Sequence, residues 1–565
     1  MRSIFKVTCL VIALGLLGAT GAMAQPQVLV PPAAFGMIGF IQEATLDGQV
    51  RFVNPDGSFG ASLAATAVAN TDDRAGGTVV VNGIRCYVPN NTYVQMPAFA
   101  LSWKQLFDPA FSAPVNSPNP IPAANQATGA QTGLALTDTI PPFPSFEISV
   151  VGNIRFDLPG HVGEPVYIVG LIAPIAQEQL AGGFGIVNFI YPNNHPTHPN
   201  RFEVGGKIGV SGTGAIVEIN DPVDDNPPNF QGRWGRTHSP DGRFTTDTGN
   251  PTVCTAQGYP VGVPNVADPG NLLNTFPFIG PNDPLRPNIN RPVNPAVGAA
   301  GHDPWTAAGE PLKTFNMGVA GPGLNCDPTR ELPLRVGDTV DYAGTMYKIL
   351  PAGPATAANT YISAHTVSVD LGVFTRPGVR PCYVFVEALL VPTALTRNAP
   401  PVFAGNPRTS IPLENSTRAV VVGFTTDPSR LIDIKRIEVN PTTGAETMTT
   451  YATVLPEALG GGRVRGRFRF TPSRTTGIFP PTRDYIAMSR TGQQLQANGL
   501  MSGQYRLPCF DFLFGERLTH GDPTVPNQFD TMPFLFSGCG PITGGPVFGQ
   551  LDPWPGPNPP FVNVP

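Results

Sequence analysis

With 565 residues, 13% of them charged, and a formal net charge of −5, the chain offers no basic face of the kind that nucleic-acid binding requires. Its 66 Pro and 63 Gly, close to twice the ordinary usage of roughly 12% for the two together, exclude long helices. An apolar fraction of 41% with 34 Phe excludes a wholly disordered chain and predicts many short strands joined by Pro-stiffened loops.

Residues 1–24 read as a secretory signal. Arg2 and Lys6 give a positive start, 7–17 an apolar run, and Ala22-Met23-Ala24 a cleavage site. The run is too short for an anchor, and no later stretch is long and apolar enough to span a bilayer. No cysteine follows the cleavage site, which argues against a lipoprotein. The mature chain is therefore expected to be exported, to a periplasm or to the exterior. Once Cys9 leaves with the signal, Cys86, Cys254, Cys326, Cys382, Cys509 and Cys539 remain. An even set in an exported chain predicts up to three disulfides. Proximity favours 254 with 326 and 509 with 539, leaving Cys86 and Cys382.

Residues 25–107 read as a small, diverged β-domain, with strand-like stretches at 36–43 and 78–88 and a tight-turn signal at Asn54-Pro55-Asp56-Gly57. Residues 108–145 are rich in Pro, Ala, Asn and Thr and read as a linker or long loop. At 146–174 begins a strand–turn–strand phrase that recurs at 366–392: Phe156, Pro159, Gly160, Pro165 and Tyr167 align with Phe374, Pro377, Gly378, Pro381 and Tyr383. Arg85-Cys86-Tyr87-Val88 is a shorter echo. A repeat of this kind implies repeated β-modules. With further short strands at 183–191, 201–208 and 215–220, the segment 146–220 suits a small closed barrel of the oligonucleotide/oligosaccharide-binding (OB) type, a sandwich fragment being the alternative.

Residues 77–97 (GTVVVNGIRCYVPNNTYVQMP) resemble the short barrel-like domains of uncharacterised bacterial exported proteins. Residues 242–260 (GRFTTDTGNPTVCTAQGYP) resemble segments of function-unassigned secreted proteins. The resemblance covers about a quarter of the chain. It implies exported β-rich proteins with small OB-like barrel repeats, a domain of unknown function, and it implies no activity.

Residues 221–330 are dominated by Pro, Asn, Asp and Gly and read as a long ordered loop region. Residues 331–399 form a second OB-like module, opening with a hairpin-like 334–347 and carrying the second copy of the phrase. In 400–490, stretches at 419–424, 431–439, 447–455, 463–470 and 484–489 alternate at strand spacing, with Asn440-Pro441-Thr442-Thr443-Gly444 as a hairpin turn. That pattern predicts an immunoglobulin-like β-sandwich, without the cysteine-tryptophan-cysteine signature of antibody domains. Residues 491–565 are irregular and end in a Pro-rich tail. The fold class expected is all-β: several OB-like barrel modules, one immunoglobulin-like sandwich and long Pro/Gly-rich loops.

Catalytic templates fail: no H-E-x-x-H, phosphate-binding loop or dinucleotide fingerprint is present, and Gly209-Val210-Ser211-Gly212-Thr213 misses the nucleophile elbow at its last glycine. His195 and His198, three apart, are a possible metal pair or a plain surface loop. Asp221, Asp224 and Asp225, followed by Asp241 and Asp247, gather hard oxygen ligands suited to calcium, against the plainer reading of solvated turns. Arg233, Trp234, Arg236 and His238 place an indole between guanidiniums, an arrangement suited to stacking on a sugar ring and binding its hydroxyls. A buried packing role for Trp234 is the competing reading. Trp305 and Trp554 are similar loop tryptophans.

Arg463, Arg465, Arg467 and Arg469 alternate with Val464, Gly466, Phe468 and Phe470. One strand face would carry all four guanidiniums, to grip an anionic glycan or phosphate or to pair with carboxylates such as Glu438. The function expected is an exported, non-catalytic binding or structural protein with a glycan or other surface polymer as ligand. A polysaccharide-active hydrolase and a passive envelope or matrix component are the alternatives. No cofactor is expected apart from calcium, and self-association is left open.

Overall fold

The computed structural model describes residues 33–47, 72–96, 100–108, 131–142, 145–156, 163–173, 181–191, 201–219, 241–244, 253–255, 296–299, 308–309, 314–317, 325–326, 334, 336–350, 353–369, 372–375, 378, 380–390, 419–440, 443–457, 466–472, 482–495, 501–508, 526–527, 529, 532–536, 538, 540–541 and 547–556. These residues form an all-β structure of two closed five-stranded barrels and several smaller sheets. Among them no helix exceeds the single turn Pro533–Phe536, and none is long and apolar enough to cross a membrane. The signal segment, the 54–57 turn and most of 221–330 lie outside the described residues.

The first barrel opens with β1 (Ala33–Asp47), β2 (Gly76–Val81) and β3 (Ile84–Val88). The expected strand at 78–88 is in fact the β2–β3 hairpin. It turns on Asn82-Gly83, both at positive φ (51° and 77°), the left-handed geometry that two-residue hairpins require. The chain then makes a flanking pair, β4 (Tyr93–Gln95) and β5 (Ala100–Ser102), before returning as β6 (Glu147–Arg155) and β7 (Val166–Ala173). The closed order is β3-β2-β1-β6-β7, antiparallel except where β7 meets β3 in parallel. Strands expected in two modules, 25–107 and 146–220, thus close a single barrel.

Its interior holds Ile41, Val79, Val81, Cys86, Val88, Ile148, Val150, Val169 and Ile172. Alternation places these side chains inward, and their burial is the main stabilising term. Phe244 also enters this core, stacking on Phe146 at 4.9 Å between ring centroids. Residues 241–244 therefore join the first barrel although they come from the expected loop region.

The second barrel repeats the plan with β8 (Gly183–Ile190), β9 (Arg201–Val204) and β10 (Ala215–Ile219) as its first three strands. Between its halves lie β11 (Val253–Thr255), β12 (Thr314–Met317) and β13 (Asn325–Cys326). Then β14 (Thr339–Lys348) and β15 (Thr360–Val369) complete the order β10-β9-β8-β14-β15, again closed by one parallel pair, β10 with β15. The expected hairpin at 334–347 is one strand preceded by a turn. β16 (Gly372–Thr375) leaves the barrel and pairs with β12.

The two barrels share their irregularities as well as their order. Gln42 is the extra residue of a bulge in β1 against β2, and Asn188 holds the same place in β8 against β9. Gly170 bulges from β7 against β6, and His365 from β15 against β14. Bulges bend strands and sharpen twist, which is what a five-stranded barrel needs in order to close.

The copies of the sequence phrase do not occupy equivalent places. The first is β6–β7, whereas the second starts in β15, crosses β16 and ends in β17 (Val384–Leu390), part of a different body. That body has seven strands. β17, β18 (Val420–Thr425) and β21 (Arg467–Phe470) make one antiparallel sheet. β20 (Glu446–Val454), β19 (Ile432–Val439), β22 (Asp484–Ser489) and β25 (Gln504–Pro508) make the other. Val386, Val421 and Phe468 from the first share a core with Ile434, Tyr451, Tyr485 and Ala487 from the second. The body spans 384–508, so it takes strands from both neighbours of the expected 400–490 segment. Between β22 and β25 the loop folds into a small hairpin, β23 (Gln494–Leu495) with β24 (Met501–Ser502).

The C-terminal segment, expected to be irregular, packs Phe529, Leu535, Phe548, Leu551 and Trp554 into the core of the two-sheet body together with Tyr93, Val151 and Leu171 of the first barrel. It includes one short pairing, β26 (Gly540–Pro541) with β27 (Val547–Phe548). Asn153 and Asn527 clasp each other: Asn153 Nδ2 donates to Asn527 O at 2.8 Å, and Asn527 N donates to Asn153 Oδ1 at 2.7 Å.

Candidate functional site

A groove of about 520 Å³ lies at one end of the two-sheet body, lined by Arg380, Arg490, Thr491, Gln493, Gln494, Leu495 and Met501. Its walls come from the segment entering β17 and from the loop between β22 and β25. The loop is shaped by glycines where the backbone must come close. A Cβ on Gly492 would lie 2.1 Å from Cys382 Sγ, and Gly503 takes a positive φ of 77°. Cys382 N donates to Gly492 O at 3.0 Å, tying the two walls together.

Beneath the groove sits a buried polar relay. Asp427, fully shielded from solvent, follows β18 in Asp427-Pro428-Ser429, a turn signal in which an aspartate caps its own loop. Its Oδ1 accepts Ser429 N at 3.1 Å and Ser429 Oγ at 2.5 Å. Its Oδ2 accepts Gly378 N at 3.0 Å and Arg430 Nε at 2.6 Å. Arg430, 9% exposed, passes the order on by donating Nη1 to Thr491 Oγ1. Thr491 O in turn accepts Arg380 Nε at 2.8 Å. A buried charge is stable only when paired and hydrogen-bonded, so this relay holds one arrangement of the loops.

Arg490, next to Thr491 in the chain, forks onto Asp433 at 2.9 and 2.6 Å. The Arg490 guanidinium holds the Asp433 carboxyl below the usual aspartate range against the raising effect of burial. The lining offers two guanidiniums, two amides and a hydroxyl, with Leu495 (63% exposed) and the partly buried Met501 as cross-strand neighbours of the β23–β24 hairpin. Its described lining residues include no Asp or Glu. Such a surface suits a polar ligand with oxygen acceptors and some apolar area.

Those sequence-predicted site residues that are described do not line this groove. Arg233, Trp234, Arg236, His238, Asp221, Asp224, Asp225, Asp247, Arg463, Arg465, His195, His198 and Trp305 lie outside the described residues. Asp241, one of the candidate calcium ligands, is described and pairs with Arg243. Both its oxygens accept from Arg243, at 2.8 to 3.2 Å, and Arg243 also reaches Leu106 O and Thr132 O from a fully buried position. Among the described residues no group of three or more metal-ligating side chains occurs.

Arg467 and Arg469 do alternate with buried Phe468, but Arg467 is held bidentately by Glu457 at 3.0 and 3.2 Å. Glu438, the partner considered from sequence, pairs instead with Arg436 at 3.0 Å. Trp554 is a packing anchor. Cys86 and Cys382 are free buried thiols rather than a disulfide pair, since one lies inside the first barrel and the other against Gly492. Burial pushes the Cys86 thiol up to about 12 and also raises that of Cys382. The side chains of the other four cysteines lie outside what is described.

Compared with known proteins, the chain matches no family model, no curated protein and no solved structure.

Proposed function

We propose that the chain is an exported, non-catalytic binding protein that holds a glycan of a cell surface or matrix in the groove at the end of its two-sheet body. The observation carrying this reading is the groove itself. Two of its groups, Thr491 and Arg380, are set through buried Asp427 and Arg430, and a concavity of this size with a few fixed polar groups is what small-ligand recognition uses. A hydrolase would need two carboxylates facing one cleft roughly 5–10 Å apart, and the described lining residues include none.

In this reading both barrels are of the OB type, supported by the five-strand order closed through one parallel pair. The seven-stranded body is immunoglobulin-like, supported by its three-plus-four sheets around one core. Loops at the end of such a sandwich are common ligand sites. Export is supported by the signal-like start of the sequence.

The test is a glycan-array screen of residues 25–565, run with and without calcium, alongside the double variant Gln493→Ala/Gln494→Ala. Binding to a defined glycan set, lost in the double variant, is expected. Absence of any glycan binding, or binding indifferent to both substitutions, would overturn the reading.

A further inference from the structure

We propose that Arg380 is a carboxylate receptor, and that the glycan accepted by the groove is therefore acidic, carrying uronic-acid units. This rests on the glycan reading of the same groove and narrows it. Among the described residues, the other arginines of this body are matched to acids except Arg469, which is exposed on β21 and is not tied to the groove. Arg430 meets Asp427, Arg490 meets Asp433, Arg467 meets Glu457, and Arg483 and Arg506 share Glu446 and Asp484.

Arg380 is exposed, and among the described residues it faces no carboxylate. It is nevertheless held. Its Nε–H is fixed on Thr491 O, and Thr491 is itself fixed through Arg430 to buried Asp427. Fixing Nε sets the plane of the guanidinium and leaves both Nη groups as a fork. A planar fork of two parallel N–H donors matches the two oxygens of a carboxylate.

The rest of the lining favours a sugar as the carrier of that carboxylate. Gln493, Gln494 and Thr491 each offer both a donor and an acceptor, as sugar hydroxyls demand. Leu495 and Met501 give an apolar edge against which the C–H face of a pyranose ring rests. The groove volume of about 520 Å³ admits a short stretch of chain and no bulky fold.

The experiment uses residues 25–565 and three probes: an oligogalacturonate or oligoglucuronate, the same oligomer as its neutral methyl ester, and a sulfated neutral oligosaccharide. Affinity is measured by calorimetry for the unsubstituted protein, Arg380→Ala and Arg380→Lys. Because Arg380 is exposed, both variants should keep the thermal midpoint of the unsubstituted protein. The acid form should bind, weaken about ten-fold or more in Arg380→Ala, and recover only in part in Arg380→Lys, the loss expected for a charged hydrogen-bonded pair. The methyl ester should bind the unsubstituted protein as weakly as the acid binds Arg380→Ala.

Equal affinity for acid and ester, indifference to Arg380→Ala, or preference for the sulfated probe would each overturn the assignment while leaving glycan binding intact. If none of the three probes binds, both the uronate assignment and the glycan reading fall, and an acidic peptide that binds the unsubstituted protein but not Arg380→Ala would identify a peptide carboxylate as the ligand instead.

Discussion

Asp427 satisfies four donors with two oxygens, and one of those donors is a buried guanidinium. Removing the carboxylate leaves Arg430 shielded from water without its counter-charge, a change that costs about 3–5 kcal/mol in buried pairs. Asp427→Ala is therefore expected to lower the denaturant midpoint of the two-sheet body by that order, and to abolish groove binding even if the fold survives. Chemical denaturation followed by tyrosine fluorescence checks the first expectation and the array checks the second.

Glu203 gives a second residue-scale case, in the second barrel. It is fully buried and accepts from the amides of Gly212, Thr213 and Gly214, from Asn188 Nδ2 and from the Tyr191 hydroxyl. Burial alone would raise its carboxyl, but these donors outweigh burial and hold it below the ordinary glutamate value of 4.5. A depressed folded-state value means that the stabilisation is complete above about 4.5 and is lost as pH falls through the lower folded value. Glu203→Gln should thus destabilise the barrel at neutral pH, and the gap between the two proteins should narrow in acid. Thermal midpoints measured from neutral pH downward test this, and a gap independent of pH would contradict it.

At the scale of elements, one bulge makes room for a contact that joins one body to another. Gly170, the extra residue in β7, leaves room for the ring of Phe529, whose carbons would stand 2.3 to 2.8 Å from a Cβ at that position. Gly170→Ala forces the ring out of a packed site, an overpacking cost of about 1–3 kcal/mol. Limited proteolysis should then cut within 526–556 faster than in the unsubstituted protein, while the barrel's own strands stay protected.

Much of the element pattern is legible in the sequence. The strands at 420–425, 432–439 and 484–489 fall on the stretches read from sequence at 419–424, 431–439 and 484–489. Asn440 and Gly444 make the turn their residue types imply, with Thr443 N donating to Asn440 Oδ1 at 2.9 Å and Gly444 at a positive φ of 71°. The β2–β3 hairpin was equally legible through Asn82-Gly83, a signal that the reading of 78–88 as one strand passed over. The groove was hardly legible. Arg380 sits in the basic link of the repeated phrase, but its neighbours Thr491 and Gln493 are more than a hundred residues away and carry no motif.

For the whole molecule, the C-terminal segment does the joining. Phe529, Leu535 and Trp554 share one core with Leu171 of the first barrel and Val421 of the two-sheet body. Asn90 and Asp552 exchange backbone hydrogen bonds, and Asn91 Nδ2 donates to Gln550 O at 2.9 Å. Removing residues 526–565 would expose Tyr93, Val151 and Leu171 as an apolar patch, which favours dye binding and association. The truncated protein is expected to bind a hydrophobic dye and to melt in separate transitions where the full chain couples them. Calorimetry distinguishes the two.

By itself the amino-acid sequence determined the structural class, the strand-length stretches and several turns, because alternation and turn chemistry act over a few residues. It determined neither which strands close a barrel nor where a module ends. Cys86 meets Tyr167, and Val217 meets Ile362, across long intervening segments. Those partners are chosen by the burial of two faces against each other and by bulges that bend the strands to meet. The relay from Asp427 to Arg380 exists for the same reason: it is assembled by packing, and no local pattern encodes it.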